Sequence, residues 1–494
     1  MPISFYSLIA FLFYLFLLFA SSFIGSIDAT QSFYRLFLQS IYGCIFIVSS
    51  IIYCKPSFQK IFLILCIEIA SLLFVTHSLF PSLLPFLSTD SSQFILRFLD
   101  SHNHLGDLAG LGLIAIVINP LHLGIDLPIL LFIFFIMVIS FSKSAFLGVL
   151  AVLFVLAIQK KGFYRIGFLI TLCISAVVIC IYTKELSRIP LIKSAQKIMT
   201  QTLHLEPKPL LSERDSYFPQ VFRAWKTAPL EQLLFGYGPG NYRYPSTKTG
   251  LTADLTSAET HSIFLSIFIE SGLLSLFWFL LFCSLILFVG LKHKNPSVYL
   301  FLFLLVNFQT DFTYAIPFFM ILFFFFAGQT VYKKKKIPHE KIIMGSVLGV
   351  FLLSAIYSGI VYYSQERENS RLNAQLTEAI IKQDKITIGQ TIQNLEQMSP
   401  YDENELIRWS SIQEAFGNNA EAARLLEKIS LYSPRNYLSY LPHQLDLQKK
   451  MKVDISKYIQ GRKEDFAQFT FTVEEKKNLN AICIQYTNLS CVKL

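Results

Sequence analysis

The chain has 494 residues, a net charge of +9 and an apolar content of 53%, with 48 phenylalanines. This composition excludes a soluble globular protein, because apolar runs repeatedly reach the ~20 residues needed to cross about 30 Å of hydrocarbon, several with almost no charge. It also argues against a nucleic-acid binder, since the Lys and Arg residues gather at the ends of apolar runs instead of on one amphipathic face.

In chain order the runs predict an all-α fold, a polytopic membrane helix bundle of about eleven spans. They lie near 5–24, 34–53, 61–80, 104–119, 127–142, 144–159, 163–183, 262–290, 298–314, 316–332 and 342–363. The first run has no basic region ahead of it and only a weak Ala-Ser-Ser cleavage signal, so it reads as a retained span. With the N-terminus cytoplasmic, Lys55, Lys60, Lys160, Lys161, Arg165, Lys292, Lys294, Lys333 to Lys336 and Lys341 fall in inner loops. The short outer connections hold only Arg35, Arg97 and Lys143. That is the positive-inside bias, and it places the loop 184–261 and everything after residue 363 outside the cytoplasm.

Several residues inside or beside these runs carry expectations of their own. Glu68 falls near mid-span, where a charge costs at least ~2.5–3.5 kcal/mol, so a polar partner within the bundle or a neutral form is expected. Asp311, nearer an outer end, is a candidate cap for the helix that follows. His102, His104 and Asp107 lack a full metal-ligand set, and no metal or cofactor is expected. Cys44, Cys54, Cys66, Cys173, Cys180 and Cys283 sit in or beside apolar runs and read as small hydrophobes. Cys483 and Cys491 remain as a possible disulfide in an oxidising compartment.

Near residue 364 the composition turns polar and helix-favouring, which divides the chain into a membrane domain, 1–363, and a tail, 364–494. Pro400 and Pro434 recur at the ~34-residue period of a tetratricopeptide repeat. The unit Phe416-Gly-Asn-Asn-Ala-Glu-Ala-Ala-Arg-Leu-Leu-Glu-Lys-Ile429 resembles one, with Gly417 at the turn, Ala422 where two helices touch, and Leu426 and Ile429 on the buried face. The unit before it departs from the pattern by placing Ile388 at a small-residue position. Stacked helix pairs of this kind bind peptides or partner proteins; a helical cap with no ligand is the alternative.

The loop 184–261 is far longer than a connection requires, and long loops are where function concentrates. It holds Arg214, Arg223 and Arg243 and passes through Gly236-Tyr-Gly-Pro-Gly-Asn-Tyr242 before re-entering an apolar run at His261. Gly236, Gly238 and Gly240 form no phosphate fingerprint, because no strand precedes them and Pro239 interrupts them; alone they mark a tight turn. The order of elements is more specific. Arg223-Ala-Trp-Lys and Leu-Leu-Phe precede the turn with Asn241, and after a polar insert comes His261-Ser-Ile-Phe-Leu, leading to Glu270-Ser-Gly-Leu273.

This order is similar to the O-antigen ligase and polymerase family, membrane glycosyltransferases whose outer loop carries Gly-x-Gly-x-x-Asn-Phe/Tyr and then His-Asn/Ser-x-x-Leu leading to Glu-x-Gly-Leu. The stretches Asp100-Ser-His-Asn-His-Leu and Ser140-Phe-Ser-Lys-Ser-Ala also resemble family segments, although Lys143 stands where the family usually has Arg. Lys keeps the charge and loses the bidentate fork that suits a diphosphate.

The resemblance implies transfer of a glycan from a polyprenyl-diphosphate lipid to an acceptor hydroxyl on a lipid, glycan or protein, without a metal, at the outer face of a bacterial cytoplasmic membrane. Such chemistry needs cations for the leaving diphosphate and a group to orient or deprotonate the incoming hydroxyl. Arg223 and Lys143 suit the first task, with Arg243 and Arg214 as further candidates that could equally pair with Glu213, Asp215 or lipid phosphates. His261 suits the second, or else it anchors the helix at the interface. Ligation to a lipid core, polymerisation of repeat units and transfer to protein all remain open. A transporter or flippase would put ionisable groups at mid-bilayer on broken helices, and a non-catalytic scaffold is the further alternative.

Overall fold

The computed structural model describes residues 3–24, 26–79, 102–120, 123–140, 142–159, 167, 171, 221–222, 224–226, 228–242, 260–332, 338–399, 402–432, 434–467 and 473–487. Among the described residues every regular element is helical. The membrane part comprises α1 (Ile3–Ile24), α2 (Ala29–Ile51), α3 (Pro56–Leu79), α4 (His102–Ile118), α5 (Leu123–Ser140) and α6 (Lys143–Gln159). It continues with the short α7 (Leu230–Phe235), α8 (Ile263–His293), α9 (Ser297–Asn307), a 3₁₀ turn (Phe312–Ala315), α10 (Pro317–Val331) and α11 (Pro338–Lys382). Four of these helices are long and apolar enough to cross a membrane, and five shorter apolar ones pack among them. The predicted span 163–183 lies outside the described residues apart from Gly167 and Thr171.

Within lipid, helices gain little from leaving water, so association rests on close packing. Here phenylalanine supplies the volume and glycine the notches. The ring of Phe11 lies 5.0 Å from Phe282 and from Phe324, and 5.4 Å from Phe351, tying α1, α8, α10 and α11 into one core. Phe303 of α9 fills a slot against Gly110 and Gly148, where an added Cβ would come within 2.6 and 2.7 Å of its ring. Phe351 fills another against Gly43. The excess of phenylalanine in the sequence thereby finds a use in filling these notches.

α2 and α11 run antiparallel. Ser40 and Ser354 share a hydrogen bond at 2.9 Å, and the rings of Tyr34 and Tyr362 lie 5.2 Å apart. The start of α2 therefore shares an end of the bundle with the stretch of α11 beyond residue 362. α11 does not stop at 363, where the composition changes; its 45 residues amount to ~67 Å at 1.5 Å per residue, about twice the hydrocarbon thickness. It ends at Lys382, where Gln383 turns left-handed with φ 55°, and is followed by α12 (Lys385–Met398), α13 (Glu403–Ala415), α14 (Asn419–Tyr432), α15 (Pro434–Lys450), α16 (Ile455–Ala467) and α17 (Val473–Thr487).

These last helices have a core separate from that of the bundle, including Leu372, Ile388, Leu406, Trp409, Ala422, Leu426 and Ile429. Asp384 and Asp402 cap α12 and α13 by accepting from backbone N–H groups of the first turn. Gly417 takes a left-handed φ of 82° in the turn between α13 and α14. Ala422 is fully buried, and Ser410 donates to its carbonyl at 2.8 Å. Pro434 opens α15 at its first position, where a missing N–H costs nothing.

At the far end of the bundle the polar groups are paired. Lys60, expected to be a loop topology signal, is buried and forms an ion pair with Asp126 at 2.8 Å, because a charge inside the bundle needs a partner. Gln329 donates to the carbonyls of Ser49 and Ile52 and accepts from Cys54 N–H, and Tyr299 donates to Gln159 at 2.5 Å. Glu68 is exposed on α3 and has no partner among the described residues, so of its two expected states the paired one is not seen there. The expected span 298–314 also breaks, since α9 ends at Asn307 and a turn follows.

Candidate functional site

The site begins with a break in α8. Gly272 has φ 81° and ψ 175°, far from helical values, so the carbonyls just before it lose their i+4 donors and need others. The turn after α7 supplies them. Tyr237 N–H donates to the Ile269 carbonyl at 3.0 Å and Gly238 N–H to the Glu270 carbonyl at 2.8 Å, while Ser21 Oγ donates to the same Glu270 carbonyl at 3.1 Å. The fit is backbone against backbone: a Cβ on Gly236 would lie 2.2 Å from the Glu270 carbonyl, and one on Gly272 would lie 2.1 Å from the Leu234 carbonyl oxygen. Both motif halves therefore need glycine for close approach, and Gly236 and Gly272 need it again for their positive φ.

The turn is also tied to the head of α2. Asn241 is fully buried and its amide donates to Ser32 Oγ at 3.0 Å and to the Asp28 carbonyl at 3.3 Å. Ser32 Oγ donates to the Pro239 carbonyl at 3.0 Å, and Ile27 N–H to that of Tyr237 at 3.2 Å. Gly240 N–H donates to Glu270 Oε2 at 2.9 Å.

His261 stands just before α8 with φ 56°, a left-handed conformation that His tolerates better than most side chains. Its neighbours hold it there. Thr260 Oγ1 donates to the Ser262 carbonyl at 2.6 Å, Ser262 Oγ donates to Gln309, and Ile263 N–H donates to the Phe308 carbonyl at 2.8 Å. Tyr314 OH bonds Ser266 Oγ at 3.1 Å and shares a hydrogen bond with Thr260 Oγ1 at 3.2 Å. The turn 308–316, expected to be plain helix, thus forms the wall behind His261.

The same turn reaches Lys143. Asp107 is buried and accepts from Ser142 Oγ (2.8 Å), Ser144 Oγ (2.9 Å) and Thr313 Oγ1 (2.8 Å). Ser144 Oγ also donates to Asp311 at 3.4 Å, so Asp311 joins this cluster and does not cap α10, which begins at Pro317. Lys143, half-buried at the start of α6, is bracketed by the two serines held on Asp107. Beyond an acid close to an outer span end, nothing local in the sequence marks this hub.

Between the turn, α1, α2 and α8 lies a cavity of about 50 Å3, lined among others by Arg35, Gln39, Glu270 and Tyr314. Such a volume holds a few waters. In the sequence Arg35 stands out only as a charge in a short outer connection and Glu270 only as part of the motif; an acid just inside an apolar run is the signal that marks the latter.

The structure brings His261, Lys143 and the turn Gly236, Gly238, Gly240, Asn241 to one end of the bundle, the end from which α11 emerges. Arg214, Arg223 and Arg243 lie outside the described residues, as does Cys491. Cys483 is buried and disulfide-bonded, whereas Cys44, Cys54, Cys66 and Cys283 are free thiols.

A bundle of long apolar helices with a polar, hydrogen-bonded end is the architecture of a multi-pass membrane protein. Residues 128–280 match the O-antigen ligase family model, which places this stretch, from α5 through the first half of α8, in that family. The match contains Lys143, the glycine turn, His261 and the Glu270-Gly272 break, and it supports glycosyl transfer of the O-antigen ligase and polymerase type. No curated protein and no solved structure matches the chain.

Proposed function

We propose that this protein transfers a glycan from a polyprenyl-diphosphate carrier to an acceptor hydroxyl at the outer face of a bacterial cytoplasmic membrane. The observation that carries this reading is the interlock of the glycine turn with the break in α8, which gathers the family's two motif halves at the end of the bundle that also holds Lys143. In the reaction the acceptor oxygen bonds to the anomeric carbon, the bond from that carbon to the diphosphate oxygen breaks, and polyprenyl diphosphate leaves. His261 takes the proton of the acceptor hydroxyl. Arg223 and Lys143, with Arg243 and Arg214, hold the growing charge on the diphosphate. Arg35, on the cavity beneath the turn, joins them as a cation that helps orient the donor.

The helices after residue 382 follow a stalk that leaves the bundle at the same end as His261, which favours a protein acceptor or assembly partner over a free glycan. In this reading α12 to α17 form a tetratricopeptide-like domain within 364–494, and Cys483 pairs with Cys491 to fasten its last helix. The test uses the full chain in lipid nanodiscs with a fluorescent polyprenyl-diphosphate glycan and three acceptors offered singly: a lipid-linked core saccharide, a second repeat-unit donor and a secreted protein. Acceptor-dependent glycan transfer that falls 10²–10⁴-fold in His261→Ala supports the assignment. Full activity in that variant, or no transfer by the parent protein to any acceptor, overturns it.

A further inference from the structure

The segment ahead of the turn has two unlike faces. Val221 and Ala224 are buried against Tyr242 and Ile269 and form its inward face. Phe222 (48% exposed) and Trp225 (37%) are left outside, and Leu230 at the head of α7 is 69% exposed. In water three large apolar side chains on one short stretch form an unfavourable patch. They are not isolated. The Trp225 ring lies 6.0 Å from that of Phe268, and α7 meets α8 at Gly272, immediately beside Leu273, Leu274 and Phe277, which are exposed on the outer side of a helix long and apolar enough to span.

From this continuity we propose that residues 221–235 form an aromatic apron seated in the interfacial layer of the bilayer, with Phe222, Trp225 and Leu230 at the boundary between headgroups and acyl chains. The partner is the phospholipid surface itself. Three features fit that layer. Trp is favoured there because its ring is apolar and its N–H polar. Lys226 and Glu231, exposed on the same stretch, offer polar groups to the headgroups. The lipid-facing side of α8 continues the apolar surface downward into the hydrocarbon.

The protein has three tryptophans. Trp409 is buried in the tail core and Trp278 stacks on Phe13 at 4.5 Å, so the difference between the parent protein and Trp225→Phe isolates the Trp225 signal. The full chain is reconstituted in phosphatidylcholine vesicles brominated at shallow or at deep acyl positions, with iodide as the aqueous quencher. The expected result is a Trp225 emission reduced at least twofold more by shallow than by deep bromines and little affected by iodide, with the preference weakened in Phe222→Ser. Quenching by iodide alone would put the apron in water, and quenching by neither agent would put it under another part of the chain; either outcome overturns the proposal. No donor or acceptor is needed, so failure here leaves the transfer reading standing.

Discussion

Gly240 N–H donates to Glu270 Oε2 at 2.9 Å, so a side chain from the apolar helix α8 closes the turn that sits on its own break. Glu270→Gln keeps an acceptor for this N–H and should leave thermal stability nearly unchanged. Glu270→Ala strands it, at a cost of about 1–3 kcal/mol. Gly272→Ala is expected to be worse, because its Cβ would lie 2.1 Å from the Leu234 carbonyl oxygen and its φ of 81° strains any L side chain. Thermal unfolding of the purified variants in nanodiscs checks the order; Gly272→Ala with parental stability would mean that the interlock does not organise this end.

For transfer itself the two cations named in the sequence should respond oppositely to exchange. Arg223→Lys keeps charge and loses the bidentate fork, so a large loss of rate at unchanged net charge is expected. Lys143→Arg should be tolerated or raise turnover, because Lys143 occupies a rigid position between two serines bonded to Asp107, and the fork would add a second contact to a diphosphate there. Initial rates at saturating donor measure both; equal activity of the Arg223→Lys and parent proteins would remove Arg223 from the diphosphate site.

Much of this was legible beforehand for physical reasons. Hydrophobic run length depends on bilayer thickness alone, so spans such as α1 and α8 could be read directly. The glycines of the turn could be singled out because close backbone approach and positive φ leave few alternatives to that residue. What escaped was the interior pairing of polar groups. Lys60 with Asp126, and Asp107 with Ser142, Ser144 and Thr313, join residues far apart in the chain, and nothing local in sequence distinguishes a paired charge from a loop charge. The break after Asn307 did leave a local mark, since Gln309, Thr310, Asp311 and Thr313 interrupt the apolar run there, whereas the continuation of α11 past 363 was hidden because a change in polarity does not end a helix.

In the tail, Glu396 accepts from Arg424 at 3.0 Å and from Lys428 at 2.8 Å. Partial burial pushes its carboxyl up, but the bonds to Arg424 and Lys428 outweigh that and hold it below the ordinary value of 4.5. A depressed folded pKa contributes stability that is fully present above about 4.5 and is lost as pH falls through the folded value. Unfolding of the full chain is followed by Trp409 emission, with the other two tryptophans replaced by phenylalanine. The parent should lose stability below about pH 4.5, and Glu396→Gln should be less stable at neutral pH, by on the order of 1 kcal/mol, with a flatter acid limb. An unchanged acid limb would take Glu396 out of the account.

The last prediction concerns which membrane face carries the site. α8 begins beside His261 and ends at His293, with Lys294 in a left-handed cap, so Glu231 on α7 and Lys294 lie at opposite ends of one span. Both are exposed. The basic residues Lys292 and Lys294 mark the second end as cytoplasmic under the positive-inside bias, and a lipid-linked glycan used outside the cytoplasm demands the site at the first. In a background without the native free cysteines, Glu231→Cys should therefore react with an impermeant thiol reagent in intact cells, and Lys294→Cys only after the membrane is opened. Because α11 is antiparallel to α2 and leaves the bundle at the His261 end, an exposed tail position such as Ile381→Cys should behave as Glu231→Cys does. Labelling of Lys294→Cys in intact cells together with protection of the other two would invert the protein, and with it the face at which any diphosphate-linked donor could be used.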